Sequence, residues 1–136
     1  MRANHSIVIA LLLVAGVSKA AARDVTIQGL PPVVVRTIPE SGSAGVDPGL
    51  AEIRVTFSKD MLDGAWSCVN LSKEAFPTSA GKPRFERDRR TFVFPVRLEA
   101  GRTYAILFNS EKHKNFMDSR RIAAMPYLLV FETRKQ

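Results

Sequence analysis

Cys68, His113 and Asp118 are the residues of this chain whose types suit nucleophilic catalysis. A thiol would attack, an imidazole would take its proton, and a carboxylate would orient the imidazole. Cys68 is the only cysteine, and His113 is the only histidine beyond His5, so no second set can be drawn. The neighbours argue against this one. Trp66 shares a face with Cys68 at a period of two, and with Val69 it marks a buried thiol. His113 lies between Lys112 and Lys114 in a polar stretch. A thiol turned into a core and a solvated imidazole do not make a nucleophile, so the chain reads as non-enzymatic, with no catalytic residue. A single cysteine also allows no internal disulfide.

Metal chemistry lacks ligands in the same way. Zinc needs several Cys or His side chains at short spacing. Asp47, Asp60, Asp63 and Asp118 sit near loop ends and are the oxygen donors available to calcium, but they follow no regular loop spacing. Asp47 before Pro48 and Asp63 before Gly64 read as turn residues. No metal and no cofactor is expected.

The basic residues form two groups. Lys82, Arg84, Arg87, Arg89 and Arg90 surround one expected hairpin, and Lys112, Lys114, Arg120 and Arg121 fall in the last long loop. Brought to one end of a fold, they would offer a face for an anionic polymer. Left apart, they are the solvated charges that protect an edge strand. Only Phe85 and Phe116 interleave with them, which is poor support for base stacking and disfavours a nucleic-acid partner.

These groups need a frame, and the frame is a succession of short strands. Ile53-Arg54-Val55-Thr56-Phe57 alternates cleanly and runs into a Ser58-Lys59-Asp60 corner with Met61 beyond it. Val33–Ile38 before it is β-branched and stops at Pro39. Val46 is the one apolar residue of the following loop and is expected to plug the end of the fold. Ala65–Val69 is expected as a third strand, carrying Trp66 into the core. Asn70–Lys82 reads as loop, and Arg84–Glu86 as a short edge strand. Thr91–Leu98, Thr103–Phe108 and Tyr127–Thr133 are strands, with Pro95 demanding a bulge or an unpaired position. About seven strands and no helical period give an all-β class: an immunoglobulin-like antiparallel β-sandwich.

At 136 residues, 46% hydrophobic and 24% charged, the chain has material for one globular core. Ahead of it stands a separate pattern. Arg2, the apolar run Ile7–Val17 and the small residues Ala20-Ala21-Ala22 read as a secretory signal peptide over 1–22, cleaved after Ala22. That run is short for a bilayer crossing, so no membrane span is expected after cleavage. A lead-in over 23–32 and a domain over 33–134 complete the division. Loss of Arg2 and Lys19 with the leader lowers the net charge from +7 to +5.

Pro39, Gly42, Val46, Ile53, Val55, Phe57, Ser58 and Met61 form a pattern that resembles the bacterial Ig-like domain of S-layer proteins, the SbsA type. Leu98, Gly101, Thr103 and Tyr104 resemble its L-x-x-G-x-T-Y turn, Phe116-Met117-Asp118 its F-x-D loop, and Phe131-Glu132-Thr133 its closing F-x-T. The chain departs at Ser119-Arg120-Arg121, where that family usually has a glycine. The resemblance implies a non-catalytic, stand-alone exported copy at the bacterial envelope, periplasmic or secreted. Its implied role is structural, adhesive or protein-binding, with a protein or envelope polymer as partner and no family active site to carry over.

Overall fold

A computed structural model describes residues 25–136; the expected leader lies outside the described residues. Eight strands form: β1 (Val34–Ile38), β2 (Glu52–Phe57), β3 (Cys68–Asn70), β4 (Thr78–Ser79), β5 (Arg84–Phe85), β6 (Thr91–Arg97), β7 (Thr103–Phe108) and β8 (Tyr127–Glu132). No helix occurs among the described residues. One sheet runs β1-β2-β6, with β4 and β5 both on the far side of β6; the other runs β3-β7-β8. All these pairings are antiparallel.

The core follows the two-residue period. Ile53, Val55 and Phe57 of β2 meet Tyr104, Ile106 and Phe108 of β7, with Phe92, Phe94, Val96, Leu129 and Phe131 completing the interior. The outer face of the first sheet is polar. Arg54 and Arg84 flank Val93 in the ladder and pair with Glu52 and Glu86, and Val93 is fully buried beneath them. The Arg54 hydrogen bond holds the Glu52 carboxyl below its usual range.

Two expectations need correction, the loop over Asn70–Lys82 and the bounds of the third strand, and two are refined, the count of about seven strands and the plug at Val46. The count is eight strands because the strand facing β6 is broken in two. Pro95 explains the break. Its carbonyl accepts from Ala80 N–H on that side, so its missing N–H faces the interval between β4 and β5, with Gly81 seated against its ring. That break also puts β4 inside the stretch read as loop. The third strand covers Cys68–Asn70 rather than Ala65–Val69. Trp66 therefore packs on Phe92 from the segment before it, at 5.7 Å between rings. Val46 does more than plug an end: it makes a parallel bridge to Thr133, and its carbonyl accepts from Arg134 N–H. With Gly42 N–H donating to Val130 O and Glu132 N–H to Ser43 O, the 42–46 segment covers the outer edge of β8.

The turn after β6 shows why certain side chains recur in one pattern. Tyr104 Oη accepts from Glu99 N–H at 2.7 Å, a tyrosine corner joining β6 to β7. Gly101 takes φ 65°, a left-handed conformation that a side chain would strain. Thr133 Oγ1 donates to Glu99 O at 2.6 Å and accepts from Arg102 N–H at 3.0 Å, tying the end of β8 to the same corner.

Candidate functional site

The corner Ser58–Met61 is the hub of one end of the sandwich. Ser58 closes β1 onto β2: its amide donates to Val33 O, and its Oγ accepts from Val33 N–H. Asp60 pairs with Arg90 at 2.9 Å and more distantly with Arg89. Met61 is buried and bridges to Asp118.

Lys59 points inward. Its ammonium lies 2.6 Å from Asp118 Oδ2, and both side chains are 3% exposed. It also donates to Gln28 O at 3.0 Å and Leu30 O at 2.7 Å. Asp118 Oδ1 accepts from Arg120 N–H and Ile122 N–H, both at 2.9 Å. Desolvation pushes the Asp118 carboxyl up, but Lys59 and the two amides outweigh it and hold the group below its usual range. Sequence reasoning placed Lys59 in the Ser58-Lys59-Asp60 corner and gave it no role of its own. The one available signal was a lysine at the fixed end of the alternating strand, 59 residues ahead of an aspartate in a family-like loop.

The turn carrying Arg89 and Arg90 and the loop carrying Met117 meet at this corner. Arg89 O and Arg90 O accept from Met61 N–H and Phe57 N–H, and Met117 O accepts from Leu62 N–H, so both loops bind the corner. They do not present nine free cations. Arg84 is drawn to Glu52, and Arg89 and Arg90 to Asp60. Arg120 donates to Gln28 O at 3.2 Å. Arg87, Lys112, Lys114 and Arg121 are exposed without an ion pair among the described residues, and Lys82 borders a hollow beside Trp66 and Asp63. Within the Ser119-Arg120-Arg121 stretch, Arg121 takes φ 63°, a left-handed conformation.

The supposed catalytic set is split. Cys68 and His113 line the same groove of about 690 Å³, between β3 and the broken strand facing β6. Asp118 lies elsewhere, committed to Lys59. Burial pushes the Cys68 thiol up to about 12, away from thiolate chemistry near neutral pH. The four aspartates considered for calcium are also dispersed. Asp47 accepts from Gly49 N–H and Asp63 from Gly64 N–H, while Asp60 and Asp118 hold cations. Among the described residues no three potential metal-ligating side chains converge.

A two-sheet antiparallel sandwich with a tyrosine corner, closed by the 42–46 segment, defines an immunoglobulin-like domain. The family model described as "Bacterial Ig-like domain" matches residues 29–133, and the chain belongs to that family. Two solved structures are similar to it: the crystal structure of the S-layer protein rSbsC(31-844), and surface layer protein SbsC, domains 1-6. Each is 16% identical over 80% of this chain, with a TM-score of 0.45. The chain spans 14% of each of those structures. No curated protein matches it.

Proposed function

We propose that this chain is an exported, non-enzymatic module with a structural, adhesive or protein-binding role at the bacterial cell envelope, of the SbsA type. One observation carries the reading. The side chains of the family-like pattern are spent on holding the fold: Ser58 on β1, Met61 and Asp118 on the corner, and Gly101, Tyr104 and Thr133 on the turn after β6. Ser58 also borders an apolar hollow beside Ile27, Leu30 and Met125. The export half of the reading rests on the three-part pattern over 1–22. Fractionation of bacterial cells producing the chain tests it. The expected result is a product shortened by the leader, in the periplasm or medium; a full-length product in the cytoplasm would overturn export.

A second reading, contact with an anionic envelope polymer, is favoured by the convergence of the two basic loops on the Ser58–Met61 corner. The expected result is salt-sensitive retention on immobilised dextran sulfate. Combined alanine substitution of Arg87, Lys112, Lys114 and Arg121 should weaken it without altering the melting temperature. Unchanged retention of that variant would exclude these loops as the binding face.

A further inference from the structure

The segment ahead of β1 presents apolar side chains to solvent from a fixed backbone. Leu30 N–H donates to Thr26 O at 3.0 Å and Gly29 N–H to Thr26 Oγ1 at 2.9 Å, closing one tight turn. The domain holds that turn by its carbonyls. Lys59 donates to Gln28 O and Leu30 O, and Arg120 to Gln28 O. Pro32 O and Val33 O accept from Met125 N–H and Ser58 N–H. The polar backbone groups are thus spent on the domain, while Ile27, Leu30 and Val33 line an open hollow of about 330 Å³ together with Met125. Ile27 is 69% and Met125 54% exposed. Single apolar residues on a surface need no explanation, but several converging on one hollow do. No carboxylate lines it.

We propose that this hollow and its rim dock on the surface of an anionic phospholipid bilayer, an inference that rests on the export reading of residues 1–22. Charge and chain order select that occupant over a protein. The Arg120 guanidinium stands at the rim, on the Gln28 carbonyl. Arg121 follows it, exposed and without an ion pair among the described residues. The one carboxylate of this cluster, Asp118, is buried against Lys59 and does not offset them. Apolar contact of this size holds a protein to a bilayer only reversibly, and firmer attachment takes basic residues as a second signal. Both signals are present here. Chain order points the same way. The apolar run Ile7–Val17 ends seven residues before Val25. Seven residues reach at most about 25 Å, so a leader entering a bilayer delivers the hollow to its surface. Ile27, Leu30, Val33 and Met125 then enter the interface, and the arginines meet lipid phosphates. Once the leader is removed, this contact keeps the product reversibly at the membrane it crossed.

An environment-sensitive dye on Met125→Cys tests this, on the chain as recovered from producing cells. The mass of that product shows whether the leader was removed. Burial pushes the native Cys68 thiol up to about 12, so the added thiol takes the maleimide, and the native chain is the labelling control. The expected result is a blue shift on vesicles containing phosphatidylglycerol and a weaker one on pure phosphatidylcholine. A dye on Lys135→Cys, at the opposite end beside Gly101, should not shift. Arg120→Glu with Arg121→Glu, added to Met125→Cys, should raise the lipid concentration at half-shift about thirtyfold, since each surface cation is worth about fivefold at an anionic leaflet. Ile27→Ser should raise it about tenfold. Ile27 is largely exposed, so that variant should keep its melting temperature. A failure of export would show in the mass and leave the comparison of the two dye positions standing. No shift at position 125, equal shifts at both ends, or a half-shift indifferent to both variants would overturn membrane docking. So would a dye at position 125 that responds to lipid-free envelope protein and not to vesicles, which would assign the hollow to a protein.

Discussion

Asp118→Ala is expected to lower the unfolding free energy by about 3–5 kcal/mol, the range for removing one partner of a buried ion pair. The loss comes mostly from what remains. Lys59 keeps its charge in a site only 3% exposed, with two carbonyls and no counter-ion. The Arg120 and Ile122 amides also lose their acceptor, and the loop they fold loses its anchor. Urea denaturation at neutral pH measures this. The double variant Lys59→Met with Asp118→Asn separates burial of an orphan charge from loss of the loop. The side-chain carbonyl introduced at position 118 can still accept from both amides, and the apolar chain introduced at position 59 fills the space of the lysine stem. This variant should recover most of the stability, since a buried ion pair exchanged for well-packed neutral groups is often close to neutral. A double variant as unstable as Asp118→Ala would mean the charge pair itself supplies the stabilisation.

The same pair sets an acid limit. The Asp118 pKa in the folded chain lies below its unfolded value of about 3.9, so its contribution is complete above about pH 4. It fades as pH falls through the lower, folded value. The urea midpoint of the native chain should therefore decline below about pH 4 more steeply than that of the Lys59→Met, Asp118→Asn variant. Parallel decline in the two proteins would assign acid sensitivity to other carboxyls.

Lys59 shows where sequence reasoning stops. The alternation of Ile53, Val55 and Phe57 was legible because burial on one side of a strand leaves a two-residue period in the chain itself. Nothing local marks Lys59 as buried. Its burial comes from Gln28–Leu30 and Asp118, brought over it by tertiary contact. The broken strand beside β6 was half visible, since Pro95 announced an unpaired position but not which neighbour would lack the bond. The outer faces were the least legible feature. Val69, Leu107, Leu128 and Val130 look like ordinary strand residues until register places them side by side on one surface. The basic residues read as two groups along the chain, and their pairing with Asp60 and Glu52 depends on strand neighbours that spacing alone cannot supply.

Phe116→Ala is expected to cost about 3–5 kcal/mol, as much as the matching truncation of Phe57. From sequence, Phe116 is an aromatic residue amid the lysines and arginines of an irregular loop. In the structure it is buried, with its ring 4.9 Å from Phe92, 5.2 Å from Phe57 and 6.0 Å from Phe108. It thus joins β2 and β6 of one sheet to β7 of the other from a loop that belongs to neither. Three features argue for the upper part of the range. The surrounding rings stand on paired strands, so they cannot collapse far into the void. The backbone of Phe116 is also pinned by Asn109, whose Oδ1 accepts from Phe116 N–H at 3.0 Å and whose Nδ2 donates to Phe116 O at 2.9 Å. Its contact with Phe92 is edge-on, an arrangement worth about 0.5–1.5 kcal/mol beyond area burial. Because Phe57 and Phe116 share a wall, the double truncation should cost less than the sum of the singles. Urea denaturation of the three variants gives the result. A cost below about 1 kcal/mol for Phe116→Ala would mean the 109–126 loop lies outside the core, against the range for aromatic truncation there.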